Sequence, residues 1–347
     1  MNDSDTSAGK SAADAVQSKQ QRQLWMDLLR GIAILMVMSF HSATILARQG
    51  YPVPSILSDF NQLFVLYRMP TLVFLSGSLL AGSFGKGMVL YLLGKGRRIF
   101  WPLLLWSLLY SFIIGPPVHD VEQLRKYLTG QSYLWFLSFI LVYYLAAIPL
   151  RRMPPLLVAA IAFGIAILAP DGTKNGERLF YLMAFFFLGA WAGCHWRQWT
   201  RLLQARASLL GWVMIVVGSV ASVTYHLSYG PLYAVPAMCF ILTVSATAFR
   251  IQADRHCAPL IFIGQNSLIF YVSHFIIIYL VMGLCRSLGV AAAVATIASF
   301  PIALFVGMVL VVAARMNRLV NLLFVAPPLP RRLVGALQAV ERRFVPA

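Results

Sequence analysis

A chain of 347 residues that is 60% hydrophobic and 11% charged does not pack as a soluble protein, because soluble domains run at about 45 to 50% apolar and about 25% charged. A mean hydropathy of +0.76 leaves more apolar surface than water tolerates, and a bilayer accepts it. The formal charge of +17 is dispersed between apolar stretches rather than gathered on one polar face, which argues against a nucleic-acid partner.

Residues 1–23 are polar, rich in Ser, Ala, Gln and Asp, and read as a disordered cytoplasmic tail. No short apolar core with a small-x-small cleavage site is present, so the first apolar segment is expected to be a retained span. Ten stretches of about the length that crosses 30 Å of hydrocarbon follow. They lie near 25–47, 60–82, 99–115, 133–150, 155–170, 178–195, 208–227, 231–249, 259–284 and 289–314. Gly115-Pro116-Pro117, Arg151-Arg152 and Pro170-Asp171-Gly172 punctuate them. No period of 20 to 50 residues repeats, which excludes a solenoid. Cys194, Cys239, Cys257 and Cys285 have no CxxC spacing, so neither a disulfide framework nor a metal site is indicated.

With the N-terminus inside, roughly three-quarters of the 28 Lys and Arg residues fall on cytoplasmic segments. The expected fold is an all-α integral membrane bundle of about ten transmembrane helices with both termini cytoplasmic. Its parts are the tail 1–23, a transmembrane domain 24–315 and a basic cytoplasmic tail 316–347. Two segments are expected to lie along the membrane. Residues 120–130 align Val121, Leu124, Tyr127 and Leu128, with an ordinary loop as the alternative, and residues 331–345 align Leu333, Leu337, Val340 and Phe344.

The chemistry starts in the first span. Asp27-Leu28-Leu29-Arg30-Gly31 opens a helix that reaches His41 eleven residues beyond Arg30. That separation leaves about 20° of offset and about 16 Å of rise, so Arg30 and His41 share a stripe, with Asp27 to one side. An ionisable group near the midplane is a functional hypothesis by default. A histidine hydrogen-bonded between helices is the plainer reading, and for Asp27 and Arg30 it is an interfacial ion pair. Arg68 stands at a similar depth in the second span and either faces the centre or snorkels outward. In the ninth span Asn266, Ser267, Tyr271 and His274 form a third polar group, with Ser267 and His274 on nearly one face. His41, Arg68 and His274 thus fall at similar depths on three helices, as a buried reaction centre or an ion pathway requires.

Asp27-Leu28-Leu29-Arg30-Gly31-Ile32-Ala33 with His41 resembles the opening signature of the membrane acyltransferase-3 family. Arg68-Met69-Pro70 with Phe74-Leu75-Ser76-Gly77, Tyr133-Leu134-Trp135-Phe136-Leu137, and Asn266-Ser267 through Tyr271 to His274 resemble its later motifs, in order, over about residues 24–315. The resemblance implies a multi-span enzyme of the cell inner membrane that moves an acyl group to a sugar hydroxyl. The usual donor is acetyl from cytoplasmic acetyl-CoA as co-substrate. The acceptor is a periplasmic or surface glycan, such as exopolysaccharide or lipopolysaccharide, with membrane lipid as the other partner. The matched first-span histidine is the residue most often held essential in the family.

The family commonly carries two arginines at RxxR spacing after the second span. Here Arg97-Arg98 is followed by Phe100 at the later position, and Lys95 offers the alternative pairing with Arg98. Some relatives carry a hydrolase-like domain after the last span, and the residues after 315 are too few for one. On these grounds His41, Arg68 and His274 are the candidate catalytic residues. Lys95, Arg97 and Arg98 are the candidates for the phosphates of CoA. Arg30, Asp27, Trp135, Asn266, Ser267 and Tyr271 are the candidates for holding substrate. A proton-coupled transporter of a small solute or glycan precursor is the rival from another class, although the paired inverted repeats it would predict are not evident. A membrane scaffold for polysaccharide export leaves the intramembrane charges unexplained.

Overall fold

The computed structural model describes residues 3–169, 174–204, 208–250 and 257–344, and among these every regular element is helical. In chain order the helices are α1 (Asp3–Arg48), α2 (Ser55–Leu63), α3 (Arg68–Gly77), α4 (Leu80–Phe84), α5 (Met88–Lys95) and α6 (Trp101–Ile113). Then come α7 (Val121–Lys126), α8 (Trp135–Ala146), α9 (Pro155–Leu168), α10 (Lys174–Cys194), α11 (Trp196–Gln204) and α12 (Ser208–Tyr225). The last six are α13 (Ala234–Arg250), α14 (Ala258–Gln265), α15 (Ser267–Ser287), α16 (Ala292–Met316), α17 (Arg318–Asn321) and α18 (Arg331–Phe344).

Among the described residues, five segments are long and apolar enough to cross a membrane: Leu24–Arg48, Ser55–Phe84, Pro231–Arg250, Ser267–Ser287 and Ala292–Met316. Asn175–Cys194 joins Trp196–Gln204 at a bend of 99°, while Trp135–Ala146, Pro155–Leu168 and Leu209–Tyr225 are shorter apolar helices. The chain is a multi-pass membrane protein. Each of the ten apolar stretches coincides with helix, but the second is broken into α2, α3 and α4, and the ninth into α14 and α15. The latter break falls at Asn266, whose side-chain Nδ2 donates to the Phe262 carbonyl at 2.7 Å alongside its own backbone amide at 3.2 Å.

The polar segment before Leu24 is not an irregular tail, since its backbone from Asp3 continues α1; a helix extended from a formed span escapes the unfavourable nucleation step. The segment 120–130 is helical, as α7 followed by a π-turn at Tyr127–Gln131. The expected boundary Pro170-Asp171-Gly172 and the last residues, including the Phe344 side chain, lie outside the described residues. In α18, Leu333, Leu337 and Val340 stay exposed on one face, while the Glu341 carboxylate accepts from the Met88 and Val89 amides at 2.6 and 3.2 Å. It thereby caps α5 from across the chain.

Glycine decides how α1 meets α14. A Cβ on Gly31 would overlap the Leu260 carbonyl, and one on Gly264 would overlap the Asp27 carbonyl. Backbone lies directly on backbone there, the close approach that small residues permit in membrane bundles. The same device joins α3 to α10, where a Cβ on Gly77 would strike Phe186 and one on Gly189 would strike Phe74. These two crossings fix α1, α3 and the α14–α15 pair around a common centre, and so aim the side chains of the site.

Candidate active site

His41 leaves α1 toward α15, with its ring 5.1 Å from that of His274 and 5.1 Å from that of Phe275. His274 is fully buried, and its Nδ1 lies 3.0 Å from the Phe270 carbonyl one turn earlier. A carbonyl only accepts, so that nitrogen carries the proton and Nε2 is left with its lone pair. That Nε2 is buried and has no hydrogen-bond partner among the described residues. His41 is half-buried. The Thr44 hydroxyl donates to the Phe40 carbonyl at 3.2 Å and presents its oxygen to His41 Nδ1 at 3.5 Å. The arrangement favours the proton on Nδ1 and leaves His41 Nε2 as the basic atom.

Arg68, only 5% exposed, holds its guanidinium carbon 3.9 Å above the ring of Phe40, the residue preceding His41. It does not snorkel. Its Nη1 is buried with no hydrogen-bond partner among the described residues, so the positive charge beside His41 has spare donor capacity. The structure therefore brings His41, Arg68 and His274 into one cluster, walled by Phe40, Phe275 and Tyr133. The Tyr133 ring is stacked on Phe275 at 4.6 Å.

The other candidates separate from this cluster. The Tyr271 hydroxyl turns away and donates to the Tyr133 carbonyl at 3.0 Å, while the Tyr133 hydroxyl donates to the Val272 carbonyl at 2.5 Å. This reciprocal strut ties α8 to α15 and commits the Tyr271 hydroxyl proton to α8, while the Tyr271 ring stays 6.0 Å from that of His274. Asn266 and Ser267 stand at the α14–α15 break, about 10 Å along the helix from His274, with Arg315 Nη2 reaching Asn266 Oδ1 at 3.4 Å. Asp27 and Arg30 form an ion pair at 2.8 Å near the same end of the bundle.

Toward that end, Lys95 lies on the aromatic faces of Tyr144 and Tyr91, its Nζ 3.4 Å and 5.3 Å from the ring centres, and donates to Ser83 Oγ at 3.2 Å. Burial, with Lys86 and Arg98 nearby, lowers its pKa to about 7. Arg97 Nε donates to the Ala326 carbonyl at 2.9 Å, and the Ala326 amide donates back to the Arg97 carbonyl at 3.1 Å. Arg97 thus pins the segment after α17, and Arg98 is the exposed member of the trio.

At the opposite end Trp135 stacks parallel to Tyr229 at 6.5 Å, and Arg178 stands 5.1 Å from the first ring and 5.3 Å from the second. Sequence reasoning named Trp135 but missed Arg178 and Tyr229. The available signal was Arg178 standing among the few basic residues on that side of the charge distribution.

A family model described as an acyltransferase domain matches residues 23–316, most of the chain and all of this cluster. The chain belongs to the membrane acyltransferase-3 family. Within it, the chain is similar to the inner membrane protein YcfT of Escherichia coli (strain K12), at 22% identity over 289 residues, covering 75% of this chain and 80% of that protein. No solved structure matches. Membership in this acyltransferase family makes the protein a membrane acyltransferase and disfavours the transporter reading.

Proposed function

We propose that the protein transfers an acyl group, acetyl from cytoplasmic acetyl-CoA, to a hydroxyl of a periplasmic or surface glycan at the inner membrane. In this reading about ten helices span the bilayer, both ends of the chain are cytoplasmic, and the Arg30 end of the bundle faces the donor. The observation that carries the proposal is the His41–His274 pair with Arg68 beside it, with a basic group toward one end of the bundle and an aromatic group toward the other. The donor side offers Lys95 and Arg98, then Tyr144 and Arg30. The acceptor side offers the Trp135–Tyr229–Arg178 group, whose aromatic faces suit a sugar ring.

A sugar hydroxyl is a weak nucleophile, whereas a thioester carbonyl is already activated, so the step that needs help is removal of the hydroxyl proton. His41 Nε2 accepts that proton as the hydroxyl oxygen bonds to the thioester carbon. The carbon–sulfur bond then breaks, and the CoA thiolate leaves with the proton that His41 returns. Arg68 stabilises negative charge on the thioester oxygen or orients the acceptor. His274, buried and fixed in one tautomer, holds the His41 ring from α15. An acyl-histidine intermediate uses the same atom as nucleophile, and trapping labelled acetyl on the protein without acceptor distinguishes that route.

The test is transfer of labelled acetyl from acetyl-CoA to a glycan acceptor by the purified protein in lipid. Donor-dependent, acceptor-dependent labelling supports the reading. Acetyl-CoA that is neither bound nor consumed overturns it.

A further inference from the structure

A groove of about 840 Å³ runs along the side of the bundle between α1, α2 and α16, with walls that include Leu35, Met36, Phe60, Phe64, Ile297 and Phe300. Along α1 it extends from Ile32 to Ser42, about 15 Å, or half of a 30 Å hydrocarbon layer. Ile297 and Phe60 remain exposed there, so the groove opens sideways toward lipid. It has the length and chemistry of a tail from one leaflet.

Apolar volume alone says only that hydrocarbon fits. The opposite side of α2 says more. There a second cavity of about 240 Å³ is lined by polar groups, among them Thr44, Ser58, Asn61, Gln62 and Arg68. The two cavities adjoin where the chain enters α2, Val53 lining the polar one and Pro54 the apolar one. Arg68 lines this polar cavity with a positive charge that is 5% exposed and has no carboxylate partner among the described residues. An uncompensated guanidinium charge at membrane depth is costly, and an acidic group offsets it. Bulk hydrocarbon does not supply that group, and a water-soluble glycan does not fill the groove.

We propose that the acceptor is an amphiphile. Its hydrocarbon anchor occupies the α1–α2–α16 groove, and its head turns over the Val53–Pro54 edge so that an acidic group, phosphate or carboxylate, meets Arg68. This deepens the acyl-transfer reading by naming how the hydroxyl arrives, and the identity of the head as acceptor rests on that reading. Binding of the anchor does not.

The test uses the full chain in lipid nanodiscs with two diazirine-bearing probes of equal chain length, a long-chain alkyl phosphate and the matching alcohol, followed by mapping of the labelled peptides. The phosphate probe is expected to label α1, α2 and α16 about tenfold more than the alcohol, the size of one charge-assisted hydrogen bond. Arg68→Gln should reduce it to the level of the alcohol, and Ile297→Trp, on an exposed position that tolerates bulk, should lower labelling by both probes. Equal labelling of the groove by the two probes would mean ordinary bilayer lipid fills it and would overturn the proposal. So would label spread over the rest of the lipid-facing surface. Labelling needs no turnover, so an absence of acyl transfer would overturn the enzymatic reading and leave this result standing.

Discussion

The proposed placing of acetyl-CoA at Lys95 carries a signature in pH. The Lys95 ammonium is half-buried on two tyrosine rings, and its pKa is lowered to about 7 because burial and the neighbouring Lys86 and Arg98 disfavour the charge. If it binds a CoA phosphate, only the protonated form does so. The protonated fraction falls from about nine-tenths at pH 6 to about one-tenth at pH 8, so kcat/KM for acetyl-CoA should fall about tenfold over that interval. The ratio kcat/KM is the right quantity because it reports ionisation of the free enzyme. Lys95→Arg, charged throughout, should flatten the profile. The sign for stability is opposite in sense: an unfolded lysine near 10.5 still holds a proton that the folded one has released, so folding stability rises with pH between about 7 and 10. A wild-type profile that is flat from pH 6 to 8, or an identical inflection in Lys95→Gln, would refute the reasoning.

Three further outcomes follow from the geometry. Arg68→Lys should lower transfer about a hundredfold, measured as kcat with both substrates saturating, because a point charge cannot keep both the Phe40 face and a planar donor fork; full activity would reduce Arg68 to simple charge. Thr44→Val should lower kcat about fivefold by loosening the His41 tautomer, and Thr44→Ser should restore it. Gly264→Ala places a methyl on the Asp27 carbonyl and should cost about 1 to 3 kcal/mol in thermal unfolding, whereas Gly335→Ala, which meets nothing within 4 Å, should cost none.

Helical arithmetic reads depth well and azimuth poorly, and the site shows both. Counting residues along each span brings His41, Arg68 and His274 to one level, and the structure packs them together even though the second and ninth stretches are broken, because those breaks are only a few residues long. The same counting places Tyr271 with His274. It does not reveal that the Tyr271 hydroxyl is taken by the Tyr133 carbonyl, 138 positions away. Nor does it reveal that Arg97 is spent on Ala326, or that Glu341 caps α5. Each of these depends on which distant element lies alongside, information that no local pattern carries. Asn266 is the instructive case: its polarity is plain in the sequence, but its place at the junction of two helices within the ninth stretch is not. The Arg178–Tyr229 pairing with Trp135 was hidden for the same reason, since three separate elements contribute one residue each.

The central claim is that His41 removes the acceptor proton, and single-turnover acetyl transfer by His41→Ala tests it most directly. The comparison is with wild type in the same nanodiscs, at saturating acetyl-CoA and acceptor, after insertion and acetyl-CoA binding have been verified. General-base catalysis of this kind is worth about 10² to 10⁴ in rate, so His41→Ala should bind donor normally and transfer acetyl at least about a hundredfold more slowly. Transfer within a factor of about two of wild type by a correctly inserted His41→Ala would contradict the mechanism.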